Sequence, residues 1–316
     1  MNPKISLFLL ILKKSFLSFS QDFDYKILDV NVDKDRQSAQ ANLRLVTLDA
    51  HALAEDFSKA QLKHEISQSA SSEEATEQTI SLEERYMLLD ELLKSNDYQT
   101  VERNCTISLD ASDKDGETSW EIRRTNTLEN DLVGGLMNNL TDPDILSPED
   151  TILVYLNTLK NMSTEELGNY LNADSIISTE DPAKISLAEA LVKQVHSTFD
   201  YSIGETTVSG YTATVTANIT TFDSDAILEN YQKELDTYLA SVDAVIDGAQ
   251  KRYEKSYSLL LEYIEENTAT KTVETTFTLI NDGASWKLED AGTVFGQALF
   301  GTLSSSPVED KQETNG

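Results

Sequence analysis

The chain repeats itself. Phe23-Asp24-Tyr25-Lys26-Ile27 returns as Phe199-Asp200-Tyr201-Ser202-Ile203, and Ala41-Asn42-Leu43 returns as Ala217-Asn218-Ile219 at the same offset of 176. Thr100-Val101-Glu102 returns as Thr272-Val273-Glu274, and Ser119-Trp120 as Ser285-Trp286, which carry the only 2 Trp. The order is kept while the offset shrinks from 176 to 172 to 166. Two copies of one folding unit, differing by short loop changes, produce that pattern. A chain of 316 residues has room for both.

The formal charge is −30, from 55 acidic against 25 basic residues. Phosphate binding depends on Lys and Arg, so nucleic acid is excluded as a partner on this reading. The same balance disfavours anionic lipid surfaces. With Cys105 as the 1 cysteine, no intrachain disulfide can form. The repeat sets Cys105 against Phe277, which predicts a buried strand position and an inert thiol.

The second copy is the easier to read. Ser147-Pro148-Glu149-Asp150 opens a helix with a cap candidate, a proline suited to the first turn and acids at the positive dipole end. Ile152, Tyr155, Leu156 and Leu159 follow at helical spacing. Ser163-Thr164-Glu165-Glu166 has the capping-box pattern, and a third helix is expected over 184–197. Strands are expected over 200–209 and 211–222, the second with strict apolar–polar alternation from Thr212 to Ile219. The period then changes to helical. Ile227 through Val242 form one stripe and Tyr253 through Ile264 another, with Gly248 between them. Strands over 271–281 and 284–290 and an apolar helix over 294–303 close the copy. The first copy matches, with a helical hairpin at 50–68 and 80–95, strands at 98–109 and 117–124, and a closing helix at 128–140.

The expected fold class is α+β: two tandem cone-like domains, each an antiparallel four-stranded sheet packed on helices, with a helical hairpin inserted between strands 2 and 3. The expected boundaries are a first repeat over 1–140, a linker over 141–146, a second repeat over 147–304 and a disordered tail over 305–316. Residues 1–22 support two readings. Ile5 to Leu12 after Lys4 looks like a short signal core, which at eight residues is too short to span a bilayer. Alternatively, Phe16 and Phe19 fall on Val192 and Val195, so the segment is the last helix of a first repeat lacking its beginning.

Few constellations suggest chemistry. Asp110–Gly116 resembles a calcium loop but has Ala111 in the first position and Ile122 where the closing Glu belongs, so a polar hairpin turn is expected. His51, His64 and His196 show no metal spacing. No cofactor or metal is expected. The best catalytic candidate is Asp200 with Tyr201, joined by Tyr211 across the turn, an acid and phenols that could share an apolar cavity where burial raises the carboxyl pKa. Both Trp are expected to anchor the cores, and the tyrosines of the helical hairpin (Tyr231, Tyr238, Tyr253, Tyr257, Tyr263) to pack between its helices or to meet a partner.

The opening Ser147–Leu159, the strand Thr212–Ile219 and Gly283-Ala284-Ser285-Trp286-Lys287-Leu288 resemble domains of unknown function in Gram-positive bacterial lipoproteins, which are similar to the nuclear transport factor 2-like, cystatin-like cone. The resemblance covers the second copy and the later two-thirds of the first. It implies an exported, lipid-anchored envelope protein and supplies no catalytic residues. The chain departs from it in having no lipobox Cys after Leu12. The functional expectation is a non-catalytic binding protein of the cell envelope, extracellular or at the surface, with an unknown protein or small-molecule partner. The alternative is a cone-fold lyase or isomerase using Asp200, Tyr201 and Tyr211.

Overall fold

The computed structural model describes residues 20–35, 37–70, 80–114, 117–171, 182–289 and 291–305. The signal-like segment, most of the first hairpin tip and residues 306–316 lie outside the described residues. The chain divides into two compact units, one chiefly up to Ser147 and the other chiefly from Pro148. Each is α+β, and each holds one four-stranded antiparallel sheet whose strands run in chain order.

In the first unit, β1 (Asp24–Asp33) and β2 (Ser38–Leu48) lead to α1 (Ala50–Ser69) and α2 (Leu82–Ser95). Strands β3 (Thr100–Lys114) and β4 (Glu117–Ile122) follow, then α3 (Asn126–Leu132) and α4 (Leu136–Asn139). The alternation in β2 buries Ala39, Ala41, Leu43 and Leu45, and Cys105 and Leu128 pack against them. Ala50, Leu53, Ala54 and Leu136 form a second cluster under the hairpin. Ser81 caps α2 with a complete capping box closed by Glu84. One closing helix was expected over 128–140, but the structure has two. Gly134 and Gly135 both take positive φ, at 64° and 82°, and break it.

The second unit opens with α5 (Pro148–Lys160), α6 (Thr164–Tyr170) and α7 (Pro182–Thr198). Strands β5 (Asp200–Ser209) and β6 (Thr212–Phe222) precede α8 (Ser224–Leu239) and α9 (Val242–Glu266). Strands β7 (Thr270–Asn281) and β8 (Trp286–Leu288) lead to α10 (Ala291–Phe300) and a 3-10 turn over Gly301–Ser305. The core gathers Ile152, Leu156 and Leu159 from α5, Val195 from α7, Val215 and Ile219 from β6, Phe277 from β7 and Phe295 from α10, none more than 1% exposed. Ser163 and Glu166 form the expected capping box. The hairpin turns earlier than expected. Ser241 caps α9 by accepting from the Ala244 amide, and Gly248, at φ 70°, kinks α9 within its own length.

Register ties the two sheets together. Tyr25 faces Leu45 as Tyr201 faces Ile219, and Val32 faces Ala39 as Val208 faces Ala213. Carrying β1 onto β5 by 176 positions (Tyr25 to Tyr201) therefore carries β2 onto β6 by 174 (Leu45 to Ile219). Leu43 faces Cys105 as Ala217 faces Thr275, and Ala111 faces Trp120 as Asn281 faces Trp286. Cys105 thus matches Thr275, and Ile107 matches Phe277. The expected partners of Leu43 and Cys105 were two positions off. The cause is the first hairpin, where Asp33 pairs with Ser38 across a connection two residues longer than that between Ser209 and Thr212. A slip of two leaves every side chain on its face, so alternation could not reveal it.

Both first strands also bulge at the same place, after Ile27 and after Ile203. Each bulge is tied by a side chain from the next strand. Asn42 donates to Asp29 at 3.0 Å, and the matching Thr216 Oγ1 accepts the Glu205 amide at 2.7 Å. Gly204 sits at the second bulge, where a Cβ would lie 2.5 Å from Thr216 Oγ1.

Candidate functional site

The residues singled out for catalysis are not gathered together. Asp200 sits at the start of β5, exposed, with Oδ1 accepting from Lys160 Nζ at 2.5 Å and from the Tyr201 amide at 2.8 Å. These two bonds, the lysine first, hold its carboxyl below the usual aspartate range. A cavity acid would need the opposite shift. Tyr201 is half-buried and stacks on Phe199 with centroids 6.1 Å apart, and burial pushes its phenol up. Tyr211 lies past the far end of the hairpin, 77% exposed. Roughly 26 Å of strand separates it from Tyr201. In the first unit Asp24 and Tyr25 repeat the pair on an exposed strand.

The other singled-out residues have structural explanations. Arg123 Nε donates to Asp110 at 2.9 Å, and this ion pair lowers the carboxyl and raises the guanidinium. His196 Nε2 lies 3.2 Å from the Met162 carbonyl oxygen. Cys105 is buried, and burial, with Asp131 adding to it, pushes its thiol up to about 11. Among the described residues no group of three or more His, Cys, Asp or Glu could hold a metal ion. Trp286 is a core anchor at 6% exposure, as expected, whereas Trp120 is 41% exposed. The difference follows from α5, which lies against β8 in the second unit. No described element takes that place over β4.

The concave site of the second unit is a groove bounded by three helices. From α7 come Lys184, Leu187, Ala188 and Leu191, one stripe at helical spacing. From α8 come Leu228, Glu229, Tyr231 and Gln232, and from α9 Tyr257, Leu260 and Ile264, with Leu303 at one end. Its volume is about 780 Å³. The same apolar stripe runs on into the core through Val192 and Val195, one turn beyond Ala188 and Leu191. Gln194 Nε2 ties α7 to the end of α9 by donating to the Ile264 and Asn267 carbonyl oxygens at 2.7 and 3.2 Å. Core packing of this stripe and the Gln194 tie hold the α7 wall of the groove in place. Burial pushes the Tyr231 phenol up, which keeps it neutral at ordinary pH. Tyr253 and Tyr257 pack ring to ring at 4.6 Å.

The sequence identified the hairpin tyrosines but missed Leu187 and Leu191. Helical periodicity put them in an amphipathic helix without showing which part of its apolar stripe the sheet would cover. No helix among the described residues is long and apolar enough to cross a membrane.

No family model matches the chain, and no curated protein matches it significantly. Among solved structures the chain is similar to one described as "a putative lipoprotein" from Bacillus subtilis, at 12% identity and a TM-score of 0.29 over 88% of this chain and 96% of that one. A likeness of that size passes neither fold nor role to this chain, and its assignment rests on its own geometry.

Proposed function

We propose that the chain is a non-catalytic binding protein of the bacterial cell envelope, whose second unit takes a slender apolar ligand into the groove between α7, α8 and α9. The groove itself carries this reading. Its volume of about 780 Å³ falls in the range of small-molecule sites, roughly 300–1,000 Å³. Leucines, Ile264 and two tyrosines line it, and Lys184, Glu229 and Gln232 provide a polar rim that would orient one end of the ligand. The envelope location rests on the lipoprotein-like sequence pattern, and the cone architecture of the nuclear transport factor 2 kind belongs to the same reading. The exposed, ion-paired Asp200 favours binding over proton transfer.

The test uses a polarity-sensitive naphthalene sulfonate dye and dodecanoate as competitor. The dye should bind one site per chain and be displaced by dodecanoate. Leu191 lines the groove without belonging to the core, so Leu191→Glu should leave the melting temperature within a few degrees while weakening dye binding at least about tenfold. Unchanged dye binding in Leu191→Glu would remove the groove as the site.

A further inference from the structure

We infer that the groove of the second unit selects a single-chain amphiphile with an anionic head, a carboxylate held at Lys184 with its alkyl chain running toward Leu191 and Leu303. The inference rests on the groove being a binding site and adds the charge and the direction of what it binds.

The groove has two unlike ends. Helix α9 packs on both α7 and α8. At one end the start of α8 and the end of α9 are joined, since the Asp223 amide donates to the Ala269 carbonyl oxygen at 2.9 Å. Gln194 brings α7 to the same place through its bonds to the Ile264 and Asn267 carbonyl oxygens. Thr302 Oγ1 donates to Asp225 at 3.0 Å, which sets Leu303 at this end too. The lining here is Leu191, Leu228, Ile264 and Leu303, and it is apolar.

The other end is polar. Lys184 lies seven residues before Leu191 on α7, and Tyr257 lies seven before Ile264 on α9. Each step covers about 10 Å of helix, so Lys184 and Tyr257 come level with one another. Gln232, one turn beyond Leu228 on α8, lies on the same side. A chain lying along the groove therefore meets hydrocarbon at one end and Lys184 at the other.

The state of Lys184 gives the sign of the head. Lysines elsewhere in this acidic chain find carboxylates: Lys59 with Glu55, Lys160 with Asp200, Lys271 with Asp225 and Lys287 with Asp282. Among the described side chains Lys184 is the one half-buried lysine without a carboxylate partner. Its stem lies on the stripe of Leu187 and Ala188, three and four residues on, which brings the ammonium to the groove. A cation partly withdrawn from water gains from an incoming anion, and a charge-assisted bond in such a place is among the strong ones. Glu229, the other ionised residue of the lining, is exposed and keeps its water. The formal charge of −30 opposes anions at long range. Screening over about 8 Å at physiological ionic strength leaves the groove's own charges to decide.

The experiment uses the full chain and a neutral dye, N-phenylnaphthylamine, displaced in turn by decanoate, decanol and decyltrimethylammonium. Decanoate should displace the dye at a concentration at least about tenfold below that of decyltrimethylammonium, with decanol between them. Lys184→Met should bring decanoate to the level of decanol without changing dye affinity, and Lys184→Glu should reverse the order of the two ions. Both variants should melt within a few degrees of the parent, since Lys184 makes no ion pair to lose. Equal displacement by the two ions, a preference for the cation in the parent, or an order that Lys184→Glu leaves unchanged would overturn the inference while the groove stood as the site. Dye that binds Leu191→Glu as it binds the parent would instead remove the groove, and the inference with it.

Discussion

Phe295→Ala is expected to lower the unfolding free energy of the second unit by about 3–5 kcal/mol, the usual cost of emptying an aromatic site in a packed core. Phe295 is 1% exposed on α10. Its ring meets Tyr155 edge-on at 5.9 Å and Phe199 edge-on at 5.6 Å. It therefore joins the closing helix to α5 and to the entry of β5, three elements distant in sequence. Neighbours on different elements cannot all collapse into the space left, so the cavity term adds to the lost transfer energy. The measurement is urea unfolding followed by Trp286 fluorescence in a Trp120→Phe background. The midpoint should fall sharply. The transition reported by Trp120, in a Trp286→Phe background, should stay in place, because Trp120 and Phe295 lie in different compact units.

Leu45→Ala is the reciprocal experiment. Leu45 is 1% exposed on β2 and belongs to the cluster with Ala41, Leu43, Cys105 and Leu128. Truncating a leucine so placed costs about 2–5 kcal/mol. The consequence should be severe, since domains of this size hold only about 5–15 kcal/mol in all. The first unit leaves Tyr25, Ile27, Val30 and Val32 in solvent, so its total lies toward the lower end of that range. Leu45→Ala should therefore abolish or nearly abolish the transition seen by Trp120 while the one seen by Trp286 persists.

The two sheets and their strand order were legible in the sequence because alternation has a period of two and the repeat supplied every strand twice. Ser163 and Glu166 announced their capping box for the same kind of local reason. The offset between matched strands was not legible at β2 and β3. A two-residue change in the first hairpin connection keeps Leu43 and Cys105 on the right face while altering their partners, and side-chain pattern carries no record of it. Gly248 read as the hairpin turn because glycine so often ends a helix. The Ser241 cap wins because it satisfies a backbone amide that the glycine cannot. The candidate acid failed on environment. Asp200 stands where the sequence put it, but nothing in Asp-Tyr foretold that Lys160, forty residues earlier, would reach it and hold it ionised. The groove was only half visible, since exposure of the Leu187 and Leu191 stripe depends on how α8 and α9 stand off from α7.

The account rests on one folding unit present twice, each copy with its own interior. Residues 147–305 produced alone test this most directly. The account predicts a dispersed amide spectrum and a single cooperative melt, with Trp286 emission matching that of the full chain, whose Trp286 is 6% exposed. A collapsed spectrum without a cooperative transition, with Trp286 emitting as it does in water, would contradict it.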